Sequence, residues 1–505
     1  MDIMKLQNGS DIRGIALEGV EGEHVNLTED ISLKIGAAFV KWLSKKTGKA
    51  CSELKIGVGR DSRLTGPSLV NALIRGISSE GAKVVNCNLA TTPAMFMSIV
   101  FNQTKYDGSA MVTASHLPFN RNGIKFFDAD GGLEHDDITD ILKLASDVSE
   151  EYVQDAKKIS KDAESYGLLE IYAEHLKNKI KEGISSSQEK PLSGLHIVVD
   201  SGNGASGFFV DKILQPLGAD TSGSQFLNPD GNFPNHIPNP ENKEAMEAIR
   251  SAVLKNKADL GLIFDTDVDR MSAVLSDGSE INRDSIIAMI SAILAPEYPG
   301  STIITDSVTS DRLTYFLEDV LGLKHLCYMR GYKNVINKQK ELNSKGIVSP
   351  LAMETSGHGA LKDNYFLDDG AFLAVKLVIA LAKAAKDGKK LDSLIEKLPP
   401  LVEEGEYRFK INCENFKEYG NKVLEEFKKR ASSKGYVMPA SYEGIRLSFK
   451  SDEVQGWILL RMSLHDPVMP MNIEGGRKGD LEKLKKIARE LTDGFDQLDR
   501  SSLGA

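Results

Sequence analysis

A strand–turn–helix pattern occurs three times along this chain, and no other sequence feature restricts the fold as much. Each copy has a short run rich in β-branched residues and then a polar turn, in segments 55–61 (KIGVGRD), 196–203 (HIVVDSGN) and 302–307 (TIITDS). After the first copy, apolar residues recur at helical spacing through 69–77, and a second apolar run follows at 83–87. Such strand–helix–strand units predict three doubly wound α/β domains of similar build.

Length and composition predict how many domains there are. The 505 residues are too many for one core, and the 41% hydrophobic and 27% charged content is that of a globular protein. A charged connector at 146–190, a polar segment at 277–284 and consecutive prolines at 399–400 indicate boundaries. The predicted domains are three α/β domains and a smaller C-terminal α+β domain, at 1–150, 151–280, 281–398 and 399–505.

Charge and composition exclude several functional classes. A net charge of -10 argues against generic nucleic-acid binding, which needs a basic face. No apolar run reaches the ~20 residues that cross a bilayer, and the first residues do not resemble a secretory signal. We therefore expect a cytoplasmic protein with no membrane partner, although an organellar location after removal of a targeting peptide stays open. The widely spaced Cys51, Cys87, Cys327 and Cys413 predict free thiols.

The first candidate site follows the apolar run 110–112. Ser115 and His116 lie in the loop that comes next, and α/β folds place catalytic groups at the carboxyl ends of strands. The Asn-Gly pair at 122–123 predicts a permissive turn, after which Lys125 can return towards the serine. A serine hydrolase is not favoured, because the loop lacks the G-x-S-x-G pattern and His116 is poorly placed to be the base for its chain neighbour.

The second candidate site is an aspartate triplet after an apolar run. In an extended segment Asp265, Asp267 and Asp269 would point the same way, so three carboxylates would converge. Hard oxygen ligands in this number suit Mg²⁺, with Ca²⁺ and Mn²⁺ as alternatives. An EF-hand is excluded, because Arg270 and Ser276 stand where that loop needs glycine and glutamate. A phosphatase motif D-x-D-x-T fails only at its fifth position, so an aspartyl-phosphate mechanism stays open.

Three further polar segments could bind a ligand. The loop 354–358 (ETSGH) offers short acceptors and a histidine suited to sugar hydroxyls, and we interpret 368–370 (DDG) as a helix cap. Segment 330–333 (RGYK) places two cations around a glycine, which suits either a phosphate or a surface loop. In 461–467 (RMSLHDP) an arginine, a hydroxyl and main-chain amides in a turn would suit a phosphate, and an ordinary turn is the alternative.

Together and in this order, these motifs resemble those of the phosphohexose mutases, the family of phosphoglucomutase, phosphomannomutase and phosphoglucosamine mutase. The resemblance runs nearly end to end and includes three further motifs, at 11–14 (DIRG), 203–205 (NGA) and 229–234 (PDGNFP). It implies four domains around a central cleft, each of which contributes one loop.

The resemblance implies a role for each residue of the first two sites. Ser115 is carried as phosphoserine, and one of its phosphate oxygens joins the three aspartates around one Mg²⁺ per chain. His116 and Arg270 support the phosphoryl group, while Lys125 is a candidate general acid or base. The implied reaction interconverts hexose 1-phosphates and 6-phosphates, of mannose or glucose first, through a hexose bisphosphate that is also the activator or intermediate.

The resemblance also implies which residues bind the sugar phosphate. Arg13 would point into the cleft, and Arg461 and Ser463 would bind the phosphate that is not transferred. Glu354 and Ser356 would contact sugar hydroxyls. The remaining predicted substrate-binding residues are His358, beside those hydroxyl ligands, and Arg330, Gly331, Tyr332, Lys333 and His465.

Four positions depart from the family pattern and leave the substrate open. Leu117 replaces an asparagine beside the serine, and Leu464 and His465 stand where the phosphate loop usually has asparagine and threonine. Asn472 replaces a frequent arginine, and a charged His465 is one substitute for the lost donors. A glucosamine- or N-acetylglucosamine-phosphate mutase and a non-catalytic sugar-phosphate-binding paralogue are the alternatives. The expected partner is a small-molecule sugar phosphate. The expected oligomeric state is a monomer or a homodimer.

Overall fold

The computed structural model of the chain describes residues 2–160, 163–463 and 466–504. These residues form two compact units. The first unit takes the chain up to Asn282 together with Ser356–Gly359 and Leu367–Asp392. The second unit takes Arg283–Thr355, Ala360–Phe366 and the chain from Ser393 onwards. The boundaries between the four domains, which were predicted from composition, stay a prediction.

The first unit contains a mixed sheet of eight strands. At its centre lies the predicted strand–helix–strand unit, in which Lys55–Arg60 pairs in parallel with Lys83–Leu89 and with Gly108–Val112. Arg121–Asp128 then returns antiparallel beside Gly108–Val112, so the loop between them starts at the carboxyl end of a central strand. The other strands are Gln7–Asn8, Asp11–Ile15, Gly131–Gly132 and Glu164–Ser165.

Helices pack on this sheet around one apolar core. Thr28 caps the helix Glu29–Thr47 by accepting the N–H of Ile31, which satisfies one of the free donors at its start. This helix meets Gly66–Ser79 so closely that a Cβ on Gly76 would lie 2.0 Å from a main-chain oxygen. The other helices of this part are Thr92–Val100, His135–Ser146, Glu150–Ala156 and Leu168–Ile184.

A second sheet in the first unit repeats the same local plan. Ile197–Asp200 and Leu260–Phe264 are parallel, and Met271–Leu275 returns antiparallel beside the latter. Again a buried strand, a short polar loop and an antiparallel strand follow one another. Apart from short 3₁₀ helices, the remaining elements of the first unit are the strands Glu280–Ile281 and Leu367–Asp368, the π-helical segment Phe209–Leu214, and the helices Lys243–Asn256 and Gly370–Lys386.

The second unit has a parallel and an antiparallel part. Thr302–Thr305 pairs in parallel with Lys324–Cys327 and Leu351–Met353. In the C-terminal part, Val468–Gly475 pairs antiparallel with Glu403–Ile411 and with Gln455–Leu460. The other elements are strands Ile445–Lys450 and Leu498–Asp499, helices Asp284–Leu294, Asp311–Tyr315, Tyr332–Ser344, Phe416–Ser433 and Asp480–Leu491, and the π-helical Phe316–Val320. Strand Gly359–Leu361 is divided between the units.

These sheets confirm the predicted fold class, three α/β domains followed by an antiparallel α+β domain. The repeated loops also fall at corresponding places, after Gly108–Val112, Leu260–Phe264 and Leu351–Met353. All four cysteines are free thiols, as their spacing predicts. Throughout the described part of the chain, every helix is too short or too polar to cross a membrane.

Candidate active site

Ser115 lies in the loop after strand Gly108–Val112, in a strained conformation. Its φ of 51° is in the left-handed region, which costs a residue other than glycine about 1–3 kcal/mol unless the surroundings hold it there. Its N–H donates to Thr113 Oγ1 at 2.9 Å. Its hydroxyl donates to Asp265 Oδ2 at 2.8 Å and lies 3.3 Å from His116 Nδ1. The side chain is therefore aimed at the aspartate triplet.

Lys125 also lies at the aspartate triplet, but the local structure that brings it there differs from the predicted turn. The Asn-Gly pair at 122–123 is not a turn but part of strand Arg121–Asp128. The glycine is required there because a Cβ would lie 2.2 Å from a carbonyl oxygen of the neighbouring strand. Lys125 Nζ donates to Asp267 Oδ2 at 3.0 Å and forms a second ion pair with Asp269 Oδ2. A strand, rather than a turn, therefore places Lys125 beside the aspartates.

The three aspartates converge, although the predicted reason was wrong. Segment 265–269 is a turn and not an extended strand, and its buried Val268 has a φ of 67°, a rare value for a β-branched residue. One carboxylate oxygen from each of Asp265, Asp267 and Asp269 lies within 4.8 Å of the others. Thr92, which the sequence did not single out, donates its hydroxyl to Asp267 Oδ2.

The electrostatics of this cluster favour a bound cation. Burial, and then the neighbouring Asp269 and Asp267, raise the pKa of Asp265 well above its usual range. Burial has the same effect on Asp269, but Lys125, His358 and Arg270 together outweigh it and lower the pKa of that carboxyl. Among the described residues, Asp267 Oδ1 and Asp269 Oδ1 have no hydrogen-bond partner although both are buried. These carboxylates can hold a divalent metal, since oxygen atoms are the ligands that hard cations prefer.

A chain of contacts connects the metal loop to His358 and Asp368. Arg270 Nε donates to His358 Nε2 at 2.8 Å, and the main-chain N–H of Arg270 donates to Asp265 Oδ1 at 3.2 Å. His358 Nδ1 contacts Asp368 Oδ2, and this contact orients the ring so that Nε2 faces Arg270. The predicted helix cap is confirmed for Asp369, which accepts the N–H of the third helical residue. Asp368 instead orients His358, a role that the sequence analysis missed.

Two other predicted residues of the first unit, Arg13 and His116, lie beside the serine loop. Arg13 Nη1 donates to the carbonyl oxygen of Thr113 at 2.7 Å, beside the serine loop. Burial, together with Arg270, lowers the pKa of His116 to about 2, so that its ring is neutral. Ser356 is buried in the same unit. Serine, lysine, two arginines, two histidines and three carboxylates thus come from segments that are far apart in sequence.

In the second unit, Glu443 connects two of the predicted ligand-binding segments, 330–333 and 461–467, with the turn after strand Thr302–Thr305. Its Oε2 accepts the Ser307 hydroxyl at 2.7 Å and the main-chain N–H of Arg330 at 2.9 Å. Its Oε1 forms a salt bridge with Arg461 Nη1 at 3.4 Å. No motif around Glu443 predicts this role. The only local signal is that Glu443 and Gly444 precede a strand.

The ETSGH and RGYK segments meet through Glu354. Its Oε1 accepts the main-chain N–H of Gly331 at 2.6 Å. Tyr332 and Lys333 then form the first turn of helix Tyr332–Ser344. The carboxylate is therefore held next to the amino end of a helix, where main-chain donors are concentrated.

The last predicted segment is described only in part. Ser463 Oγ accepts the main-chain N–H of Asp466 at 3.2 Å. The predictions for Leu464 and His465 lie outside the described residues. Asn472, where the family often has arginine, is buried and its Nδ2 lies 3.4 Å from Glu406 Oε2.

Comparisons with known proteins identify the family. Residues 4–151, 170–278 and 282–402 match domains I, II and III, each described as a phosphoglucomutase/phosphomannomutase alpha/beta/alpha domain. The chain is 28% identical to the phosphomannomutase/phosphoglucomutase of Pseudomonas putida over 452 residues, 89% of this chain and 90% of the relative. It is 30% identical to the phosphoglucosamine mutase of Lactobacillus johnsonii over 456 residues, 86% of this chain and 92% of the relative.

The comparison with a solved structure indicates the same family. The crystal structure of a phosphoglucomutase/phosphomannomutase family protein from Burkholderia thailandensis matches with a TM-score of 0.75 and 26% identity, covering 97% of each chain. The chain belongs to the phosphohexose mutase family, and the protein is a phosphohexomutase.

Proposed function

We propose that this enzyme moves a phosphoryl group between O1 and O6 of a hexose by way of Ser115, with the phosphates of glucose and mannose as its first substrates. The observation that carries the proposal is the orientation of the Ser115 side chain. Its hydroxyl donates to Asp265 at 2.8 Å within a buried cluster of three carboxylates. The names of the relatives, including that of Pseudomonas putida, support glucose and mannose.

The proposed metal is one Mg²⁺ held by Asp265, Asp267 and Asp269. Two buried carboxylate oxygens that have no hydrogen-bond partner among the residues the structure describes, and a donor set made only of oxygen, fit this ion. When bound, Mg²⁺ supplies positive charge close to the oxygens of the phosphoryl group. Arg270, whose guanidinium is held by His358, is proposed to supply positive charge to the same oxygens.

The proposed reaction consists of two transfers of the same kind. In the first, a hydroxyl oxygen of the sugar monophosphate bonds to the phosphorus of phosphoserine as the bond from phosphorus to Ser115 Oγ breaks. Lys125 gives a proton to Oγ and regains one from the attacking hydroxyl, so the step balances. The bisphosphate then binds in the opposite orientation, and its other phosphoryl group returns to Ser115. Both orientations require a separate site for the phosphate that is not being transferred.

We assign that separate site to the second unit. Arg461, Ser463 and His465 are proposed to bind the phosphate, together with the segment from Arg330 to Lys333. Glu354, Ser356 and His358 are proposed to select the sugar hydroxyls, and Arg13 to contact the substrate near Ser115. The contacts of Glu443 with Arg330 and Arg461 support this assignment, because one carboxylate holds both segments.

The test combines intact-protein mass with a panel of substrates. Wild type and Ser115→Ala are incubated with glucose 1,6-bisphosphate and Mg²⁺, and then assayed with the 1-phosphates of glucose, mannose, glucosamine and N-acetylglucosamine. We expect one added phosphate on wild type and none on the variant, and turnover of glucose and mannose phosphates by wild type alone.

Other outcomes would change the proposal in defined ways. Turnover restricted to the amino sugars would favour the second candidate, a phosphoglucosamine mutase, which the similarity to the Lactobacillus johnsonii relative supports. Release of inorganic phosphate without isomerisation would indicate a phosphatase. A wild-type chain that is never phosphorylated, but still binds a sugar phosphate, would indicate a non-catalytic paralogue.

A further inference from the structure

Arg63 is buried against the loop that carries Ser115. Its side chain is among the largest that are fully buried, with 1% exposure. The guanidinium donates four hydrogen bonds to main-chain carbonyl oxygens of that loop. Nη2 donates to Ser115 and Leu117 at 2.5 Å each, and Nη1 donates to Pro118 at 2.8 Å and Arg121 at 2.9 Å.

Asp61 connects the same arginine to the serine by a second route. Asp61 Oδ2 lies 3.4 Å from Arg63 Nε, and both side chains are fully buried. The same Oδ2 accepts the hydroxyl of Thr113 at 2.6 Å, and Thr113 Oγ1 in turn accepts the N–H of Ser115. The pair therefore holds both the carbonyl and the N–H of the strained serine.

The loop 229–234 closes over the other side of Arg63. The centre of the Phe233 ring lies 5.3 Å from the guanidinium carbon. Gly231 has no room for a side chain, because a Cβ would lie 2.8 Å from Arg63 Cα and 2.5 Å from Leu64 N. This contact gives a physical role to the PDGNFP motif, for which the residue pattern alone indicated none.

We propose that Arg63 is a positioning residue that holds the Ser115 loop in the conformation in which Oγ faces the three carboxylates. The proposal rests on the proposed function, since it is phosphoryl transfer through Ser115 that requires this alignment. A planar guanidinium can donate to several carbonyls at once, whereas the single ammonium of lysine cannot span the same four acceptors. Without these bonds the left-handed serine loses the contact that fixes its carbonyl, and its hydroxyl turns away.

The experiment compares Arg63→Lys with a matched control, Arg312→Lys, in full-length protein with Mg²⁺. Arg312 is also mostly buried and binds one carboxylate and one carbonyl, those of Asp284 and Pro399, but the proposed chemistry does not use it. For Arg63→Lys we expect kcat to fall about 100-fold while KM changes less than about threefold, because misplacement of a reacting atom by about 1 Å has this effect. Arg312→Lys should keep the wild-type kcat.

Hydrogen exchange tests the positioning role directly. In Arg63→Lys the amides of residues 114–117 and 119–121 should exchange at least tenfold faster, while those of strands Lys55–Arg60 and Gly108–Val112 keep their rates. Unchanged exchange in this loop, or an unchanged kcat, would overturn the proposal. Faster exchange along both strands as well would show a general structural role and would also contradict it.

Two further measurements keep the test decisive. If Arg63→Lys does not fold, Asp61→Asn, which removes the charge of the partner and keeps its shape, should give the same pattern with a smaller loss of kcat. If Asp61→Asn changes neither kcat nor the exchange rates of the loop, the proposal fails. If wild type is not phosphorylated at Ser115, the proposed function fails, and the exchange experiment still reports whether Arg63 holds the loop.

Discussion

The carboxylate cluster of the first unit and the Glu443 cluster of the second unit are built in different ways. In the first, Asp265 and Asp267 are completely buried, and side chains contact one another directly. In the second, Glu443 is held by two short hydrogen bonds, one of them to a main-chain amide, and its contact with Arg461 is longer at 3.4 Å. Most departures from the family pattern also fall in the second unit.

This difference separates two tasks of the proposed reaction. Phosphoryl transfer needs exact alignment and strong local charge, whatever sugar is attached. Recognition of the sugar and of its distal phosphate can change with the substrate while the chemistry stays the same. We therefore expect substitutions in the first cluster to reduce kcat, and substitutions in the second to act mainly on KM.

The largest effect should come from Asp267→Ala. Removal of one of three proposed metal ligands should lower kcat by about 10⁴-fold and abolish its dependence on Mg²⁺, while the circular dichroism spectrum stays that of wild type. A Mg²⁺ titration of activity, with chelator-treated wild type as the control, measures this. Unfolding of the variant would instead mean that the triplet has a structural role.

The same comparison shows how much could be predicted from the sequence. Strand Leu260–Phe264 was predicted correctly, because a run of apolar residues followed by charge leaves few alternatives. The convergence of the aspartates was also predicted, but for the wrong reason, since no local pattern predicts the left-handed Val268. Such a conformation depends on contacts made elsewhere in the chain.

Partners that are distant in sequence were missed for a related reason. Thr92 contacts Asp267 across 175 residues, and Glu443 contacts Arg330 across 113. A threonine at the start of a helix, or a glutamate before a strand, has an ordinary local explanation. Only the packing of whole elements brings these side chains to the site, and the periodicity of a sequence carries no record of that packing.

A smaller effect, on stability rather than on catalysis, should distinguish the second unit. Burial raises the pKa of Glu474 to about 7, and Asp284 adds to this, while the hydroxyl of Ser310, Arg312 and Arg446 oppose it. The folded protein therefore favours the protonated form of Glu474. The contribution of this group to the free energy of unfolding is complete below about pH 4.5 and is lost as pH rises through about 7. Glu474→Gln should remove this loss.

The unfolding midpoints of wild type and Glu474→Gln at pH 5 and pH 8 give the measurement. We expect similar midpoints at pH 5 and a more stable variant at pH 8, by about 1–3 kcal/mol in the free energy of unfolding. Asp306, whose pKa burial and Glu354 also raise to about 7, stays in the variant, so some pH dependence should remain. An equal difference at both pH values would exclude titration of Glu474 as the cause.

The smallest effect, and the sharpest test of the comparison, should come from Glu443→Gln. The amide keeps one acceptor oxygen for Ser307 and Arg330 but loses the charge that holds Arg461. We expect KM for the sugar monophosphate to change about tenfold and kcat to change less than about threefold, since the proposed transfer step lies elsewhere. Steady-state kinetics at saturating Mg²⁺ provide the measurement.

The control is Glu404→Gln in the same unit, which removes a more exposed charge paired with Arg283 and should leave both constants unchanged. A fall in kcat as large as that of Asp267→Ala would mean that Glu443 belongs with the chemistry, and the separation of tasks between the two clusters would be wrong.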